Sequence, residues 1–223
     1  MRIERLNMEK GSPPVNSQTS TSCITSISPQ QKNQNRVNIS IDGKYAFSLD
    51  IAQVVDLKVK VGIDITRERL AELKRASEFG KVYQRALEWS LSRPHSIREA
   101  QDYLWRKGRE KPLVDVELVL SRLTEAGYID DEKFARYWVE SRFVRRGMSL
   151  KRIRLELKQK GVPDTIIEQV LGESGRSDEV EIKKIIEKKR RLYSDEKLLK
   201  YLIRQGFNYQ LAKEMLSPQT QDF

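Results

Sequence analysis

The sequence predicts a mainly α-helical protein: three tandem three-helix repeats forming an elongated, curved solenoid, preceded by a small N-terminal β-hairpin and helix and by a disordered N-terminal tail. Three observations point there. From Thr66 onward the chain is rich in Leu, Glu, Lys, Arg and Ala, with apolar residues recurring at spacings of three and four. A helix-length motif occurs three times. Strict apolar-polar alternation, the β signature, is confined to one short stretch before residue 50.

The elements follow in order. Residues 1–35 read as a tail, because 12–35 are dominated by Ser, Thr, Gln, Asn and Pro and burial would not offset the entropy of ordering them. Residues 36–80 hold the hairpin and a helix. Val37, Ile39 and Ile41 alternate with polar residues, as do Tyr45, Phe47 and Leu49, about Asp42-Gly43, the signal for a type I′ turn; these six side chains are expected to pack on neighbouring helices. Thr66 caps the first helix, which Gly80 loosens or ends before a second one carrying Val82, Ala86 and Trp89.

The repeats occupy residues 81–129, 130–172 and 173–217, with 218–223 a short C-terminal tail. In each, Ser, Leu and Gly stand at offsets 0, +8 and +12: Ser96, Leu104 and Gly108; Ser149, Leu157 and Gly161; Ser194, Leu202 and Gly206. Ser suits a helix N-cap and Gly the left-handed residue that ends a helix. Ser96 with Glu99 spells a capping box. Val162 and Phe207 after the second and third glycines fit a Schellman ending, whereas Arg109 after the first does not. A helical pattern precedes and follows each copy, and Ser-to-Ser spacings of 53 and 45 indicate stacked units that bury their faces against one another. Such an array favours a binding surface over a pocket.

Lys and Arg number 42 against 32 Asp and Glu, a formal charge of +10, which favours polyanions or acidic protein surfaces. A single Cys23 excludes an internal disulfide, and a single His95 removes most zinc sites and most nucleophile-histidine pairs. No catalytic residue, metal or cofactor is expected, and the chain is not read as an enzyme. No apolar window approaches the roughly 20 residues of a membrane span, so a cytoplasmic protein without a membrane partner is expected.

Between residues 142 and 160 stand eight basic residues and one acid, Glu156. On a helix, Lys151, Arg154 and Lys158 share one arc and Leu150, Ile153 and Leu157 another, so one face docks while a basic, nearly unpaired stripe stays exposed. The candidate contacts for a filament or a nucleic acid are Arg142, Arg145, Arg146, Lys151, Arg154 and Lys158. Two further groups, Lys183 to Arg191 and Arg106, Lys107, Arg109 and Lys111, read as solvated faces or loops. Asp130-Asp131-Glu132 reads as a helix cap with acids in the first turn. Trp105 and Tyr137 are expected to be exposed among otherwise core aromatics, and His95 to pack in a loop.

The run Ala126-Gly-Tyr-Ile-Asp-Asp-Glu-Lys-Phe-Ala135, continuing through Arg142 to Ser149 and the helix end Leu157 to Gly161, resembles the RecX family of bacterial RecA modulators over residues 36–217. The resemblance implies three tandem three-helix repeats that lodge in the groove of the RecA–DNA filament, bridge adjacent protomers and restrain recombinase and ATPase activity, in recombination, DNA repair and the SOS response. It carries no catalytic residues. The implied partner is RecA as a nucleoprotein filament, with DNA bound indirectly or weakly and the chain itself a monomer. The alternative from the residues alone is a non-specific nucleic-acid binder built of tandem helix-turn-helix-like units gripping phosphates.

Overall fold

A computed structural model describes residues 21–31, 33–109 and 114–217, the side chains of 143–146 excepted. These residues form two compact units that divide between Ser77 and Glu78.

The first unit is built on a four-stranded antiparallel sheet of order β3-β2-β1-β4, from β1 (Ser22–Pro29), β2 (Arg36–Ile41), β3 (Lys44–Asp50) and β4 (Asp64–Ile65). The expected tail is therefore corrected from residue 22 on; the rest of it, residues 1–20, lies outside the described residues, as do 218–223. The β-branched Ile24, Thr25 and Ile27 let this polar stretch pair along the open edge of β2, and Ile24 is 1% exposed. The β2-β3 turn has φ of 49° at Asp42 and 79° at Gly43, the two positive values a type I′ turn needs.

A bulge after the Ile39-Phe47 pair sets Tyr45 opposite Ser40. Tyr45 thus moves to the outer face, 61% exposed, while Ile39, Ile41, Phe47 and Leu49 fill the core. Asp50 and Gln53 close a capping box on α1 (Ile51–Asp56). The first half of α2 (Arg67–Ser90) covers the sheet with Leu73, and Ser77 donates to the Ser48 carbonyl at 2.6 Å. Gly80 does not break α2: one interior glycine costs about 1 kcal/mol, less than the burial of Leu73, Val82 and Ala86 along the same helix returns.

The second unit contains three modules, each with its own core. The second half of α2, α3 (Ile97–Gly108) and α4 (Val116–Glu125) enclose Val82, Ala86, Leu104, Val119 and Leu123. Helices α5 (Asp131–Arg146), α6 (Leu150–Gln159) and α7 (Asp164–Glu173) enclose Phe134, Val139, Ile153, Leu157 and Ile167. Helices α8 (Asp178–Lys189), α9 (Asp195–Arg204) and α10 (Tyr209–Leu216) enclose Ile182, Leu198, Leu202 and Phe207.

The repeated serines and glycines do more than begin and end helices, because the middle helices α3, α6 and α9 meet end to end through them. Ser96 accepts from the Glu99 N–H at 3.1 Å, and its hydroxyl donates to the carbonyl of Lys160 at the end of α6, at 2.9 Å. Ser149 accepts from the Arg152 N–H at 3.2 Å, and its own N–H donates to the Gln205 carbonyl at the end of α9, at 3.2 Å. Each joint is completed by a carboxylate of the following module. Asp131 accepts from the Ile97 N–H at 2.9 Å and Asp178 from the Leu150 N–H at 2.8 Å.

Gly161 and Gly206 make the expected Schellman endings, with Val162 donating to the Leu157 carbonyl and Phe207 to that of Leu202. Their missing side chains also serve contact: a Cβ on Gly161 would stand 2.7 Å from the Arg98 Cβ, and one on Gly206 2.6 Å from the Ser149 hydroxyl. Gly108 differs, for it is the last residue of α3, without the positive φ of the other two, and gives room to Val116, whose Cγ1 would be 2.7 Å from a Cβ there. The predicted capping box is also incomplete, since Glu99 directs its carboxylate to Arg93, His95 and Lys160 and not to the Ser96 N–H. Ser194 has no side-chain cap bond.

Candidate functional site

Helix α6 is amphipathic in the predicted sense. Ile153 and Leu157 are fully buried with Leu150 beside them, and Lys151, Arg154 and Lys158 stand on the adjoining face, outside that core. The structure brings these three together but does not leave them nearly unpaired. Arg154 makes a bidentate pair with Glu168 of α7, Nε to Oε1 at 2.6 Å and Nη2 to Oε2 at 2.9 Å, and Lys158 meets Asp164 at 2.8 Å. The hydrogen bonds from Arg154 hold the Glu168 carboxyl below its ordinary value, and those to Glu168 raise the Arg154 guanidinium. The acids were invisible in the 142–160 window because the turn at Gly161 folds α7 back beside α6. Exposed pairs of this kind contribute between zero and about 1 kcal/mol and open readily for a stronger partner. Lys151 has no acidic partner among the described residues.

Arg142 is set apart from the stripe. Its guanidinium lies 4.1 Å from the centroid of the Trp138 ring and donates to Glu156 at 2.8 Å, while the Trp138 indole N–H donates to the same carboxylate oxygen at 3.0 Å. This cation–π and ion-pair cluster fastens α5 to α6. The side chains of Arg145 and Arg146 lie outside the described set.

Across the first joint, Lys160 pairs with Glu99 at 2.7 Å. Burial pulls the Glu99 carboxyl up, but the hydrogen bonds from Arg93 and Lys160 outweigh it and hold the group below its ordinary value. His95 packs in its loop as expected, 3% exposed, stacked 3.5 Å from the Trp89 centroid and hydrogen-bonded to Glu99 at 3.1 Å. Burial, with the Arg93 charge beside it, lowers its pKa against the opposing pull of Glu99.

The three acids of the Asp130 run have separate tasks: Asp130 caps α5, Asp131 caps α3, and Glu132 pairs with Arg136 at 2.6 Å. Among the described residues no group of three His, Cys, Asp or Glu side chains could hold a metal, and no helix is long and apolar enough to cross a membrane. In the second basic group Lys184 pairs with Glu181 at 2.9 Å and Lys189 sits 4.8 Å from the Tyr201 centroid. In the third, Arg109 covers Trp105 at 4.7 Å, and Lys111 lies outside the described residues. Trp105 and Tyr137 are exposed, at 60% and 36%.

One surface feature was not foreseen. Where α6 meets α9, a groove of about 820 Å³ is lined by Lys151, Arg154, Leu155, Lys158, Ile203 and Arg204 over the buried Phe207. Leu155 and Ile203 are 56% and 42% exposed. Their only sequence signal is an apolar residue off the docking face, at offset +6 in the second copy and +9 in the third.

The comparisons with known proteins agree along the chain. Residues 22–66 match the model of the regulatory protein RecX N-terminal domain, and residues 130–171 that of the RecX second three-helix domain. Regulatory protein RecX of Bacillus licheniformis is 31% identical over 201 residues, covering 86% of this chain and 76% of that one. Its counterpart in Bacillus subtilis is 32% identical over 195 residues, covering 87% and 72%. A crystal structure of regulatory protein RecX superposes with a TM-score of 0.67 at 22% identity, over 87% of this chain and 98% of that one. RecX from Lactobacillus salivarius superposes with a TM-score of 0.51 at 21% identity, over 63% and 96%. At these identities the two structures speak to the fold alone.

Proposed function

This chain belongs to the RecX family of regulatory proteins, and from that premise we propose that it binds RecA–DNA filaments along their groove and restrains recombinase and ATPase activity, acting in the cytoplasm as a monomer and without chemistry of its own. The observation that carries the reading is the joint made twice, at Ser96-Asp131-Lys160 and at Ser149-Asp178-Gln205. Modules joined through equivalent positions present their surfaces in a repeating order, which suits a polymer of identical protomers. Several weak contacts on one chain then multiply through effective concentration. The exposed cations of α6 are the part of that surface that complements acidic or phosphate groups.

A purely phosphate-gripping function is the weaker reading, because a formal charge of +10 over 223 residues is moderate and binding to bare nucleic acid depends on the number of phosphates neutralised. The test is DNA-stimulated ATP hydrolysis by RecA in the presence of wild-type protein or of the combined Lys151→Glu, Arg154→Glu, Lys158→Glu variant. Wild type is expected to slow hydrolysis and the folded variant to lose most of that effect. Undiminished inhibition would take the stripe out of the interface. Equal affinity of the wild type for bare DNA and for filament would favour the nucleic-acid reading instead.

A further inference from the structure

The groove between α6 and α9 combines two features that solvated surfaces keep apart. Lys151 and Arg204 line it with no acidic partner among the described residues, Glu156 of the lining is taken up by Arg142 and Trp138, and Leu155 and Ile203 lie exposed beside them. We infer that this groove docks an acidic, amphipathic segment of a protein partner, its aliphatic side chains on Leu155 and Ile203 and its carboxylates on Lys151 and Arg204. The assignment rests on the reading that the chain works by binding a protein polymer.

Comparison of the two joints supports a built site. At the joint of α3 with α6, the positions equivalent to Leu155 and Ile203 are Asp102 and Lys158, both polar. The repeat therefore does not require apolar residues there, and their presence at the second joint is not a by-product of the architecture. An apolar centre within a charged rim is the anatomy of a protein interface, where a few desolvated side chains carry most of the affinity. A phosphate backbone offers nothing to bury on Leu155 and Ile203, and Phe207, the aromatic side chain of the lining, is 4% exposed and leaves no open face for a base to stack on. The groove's volume, about 820 Å³, suits a short peptide segment.

The experiment titrates isotope-labelled full-length protein with a synthetic peptide of glutamates interspersed with leucines, with the same peptide carrying glutamine for glutamate, and with a single-stranded oligonucleotide, following amide resonances. The Glu-Leu peptide is expected to move Lys151, Leu155, Ile203 and Arg204 saturably. Leu155→Ser with Ile203→Ser, and separately Lys151→Glu with Arg204→Glu, should each weaken its binding by about tenfold. All four side chains lie at the surface, so the melting temperature of both variants should match wild type, which separates lost binding from lost fold. No shift at these residues, or an equal response to the glutamine peptide, overturns the inference. So does an oligonucleotide that moves the same resonances undiminished by Leu155→Ser with Ile203→Ser, since the groove is then a nucleic-acid site. Inhibition of RecA without peptide binding sinks the groove alone, whereas peptide binding without any effect on RecA supports the groove and sinks the choice of polymer.

Discussion

Gly161 and Gly175 both hold φ in the left-handed region, at +78° and +60°, yet they differ in what surrounds them. A Cβ at Gly175 meets nothing within 4 Å, while one at Gly161 meets the Arg98 Cβ at 2.7 Å, across the joint. Gly175→Ala therefore carries only backbone strain, about 1 kcal/mol. Gly161→Ala adds an overlap against a backbone-proximal atom that cannot swing away, roughly 1 kcal/mol or more beyond that. Urea denaturation of the two variants should show Gly161→Ala clearly the less stable, and equal loss would mean that the joint yields easily. The left-handed role of Gly161 was legible from its offset and the apolar Val162 behind it. The contact with Arg98 was not, because residues 63 positions apart share no local pattern.

At the scale of the element, the N-terminus of each inner middle helix is satisfied twice, by its own serine and by a carboxylate from the next module. Asp131 and Asp178 are drawn out of water there, and burial raises the pKa of both against the opposing pull of the Ile97 and Leu150 N–H groups. A carboxyl whose folded-state pKa lies above its unfolded value contributes stability at low pH and loses it as pH rises through the raised value. Asp131→Asn keeps an oxygen for the Ile97 N–H and removes the titration. Its stability relative to wild type should thus be best near neutral pH and decline as the medium is acidified through the carboxylate range. Asp131→Ala leaves the N–H without its acceptor and should cost about 1 kcal/mol at neutral pH. Thermal melts of the three proteins across that range check both statements. The Asp130 run was readable as a cap, but the helix that Asp131 caps is not the one it begins.

For the molecule as a whole, the helical unit is a chain of small cores in which each module completes its predecessor. Removing residues 173–223 takes Asp178 and Gln205 from the N-terminus of α6 and bares Gly147, whose missing Cβ lies against Ile185. Because nearest-neighbour contacts carry much of the stability of such arrays, the shortened protein should melt several degrees lower while keeping the helical spectrum of its remaining modules. An unchanged melting temperature would mean that the joints contribute little.

What the sequence alone determined was local: helix faces through the spacing of Ile153 and Leu157, helix ends through the Ser and Gly offsets, the turn at Asp42-Gly43, and the membership suggested by the Gly127 to Ala135 run. Each depends on residues within a few turns of one another, where backbone geometry leaves few choices. Only the tertiary structure decided that residues 22–29 pair with the hairpin, that Tyr45 faces outward across a bulge, that Glu168 and Asp164 answer Arg154 and Lys158, and that Leu155 and Ile203 share a groove. Strand pairing, charge compensation and groove lining are relations between segments, and a linear pattern records each segment's preferences without recording which other segment meets it.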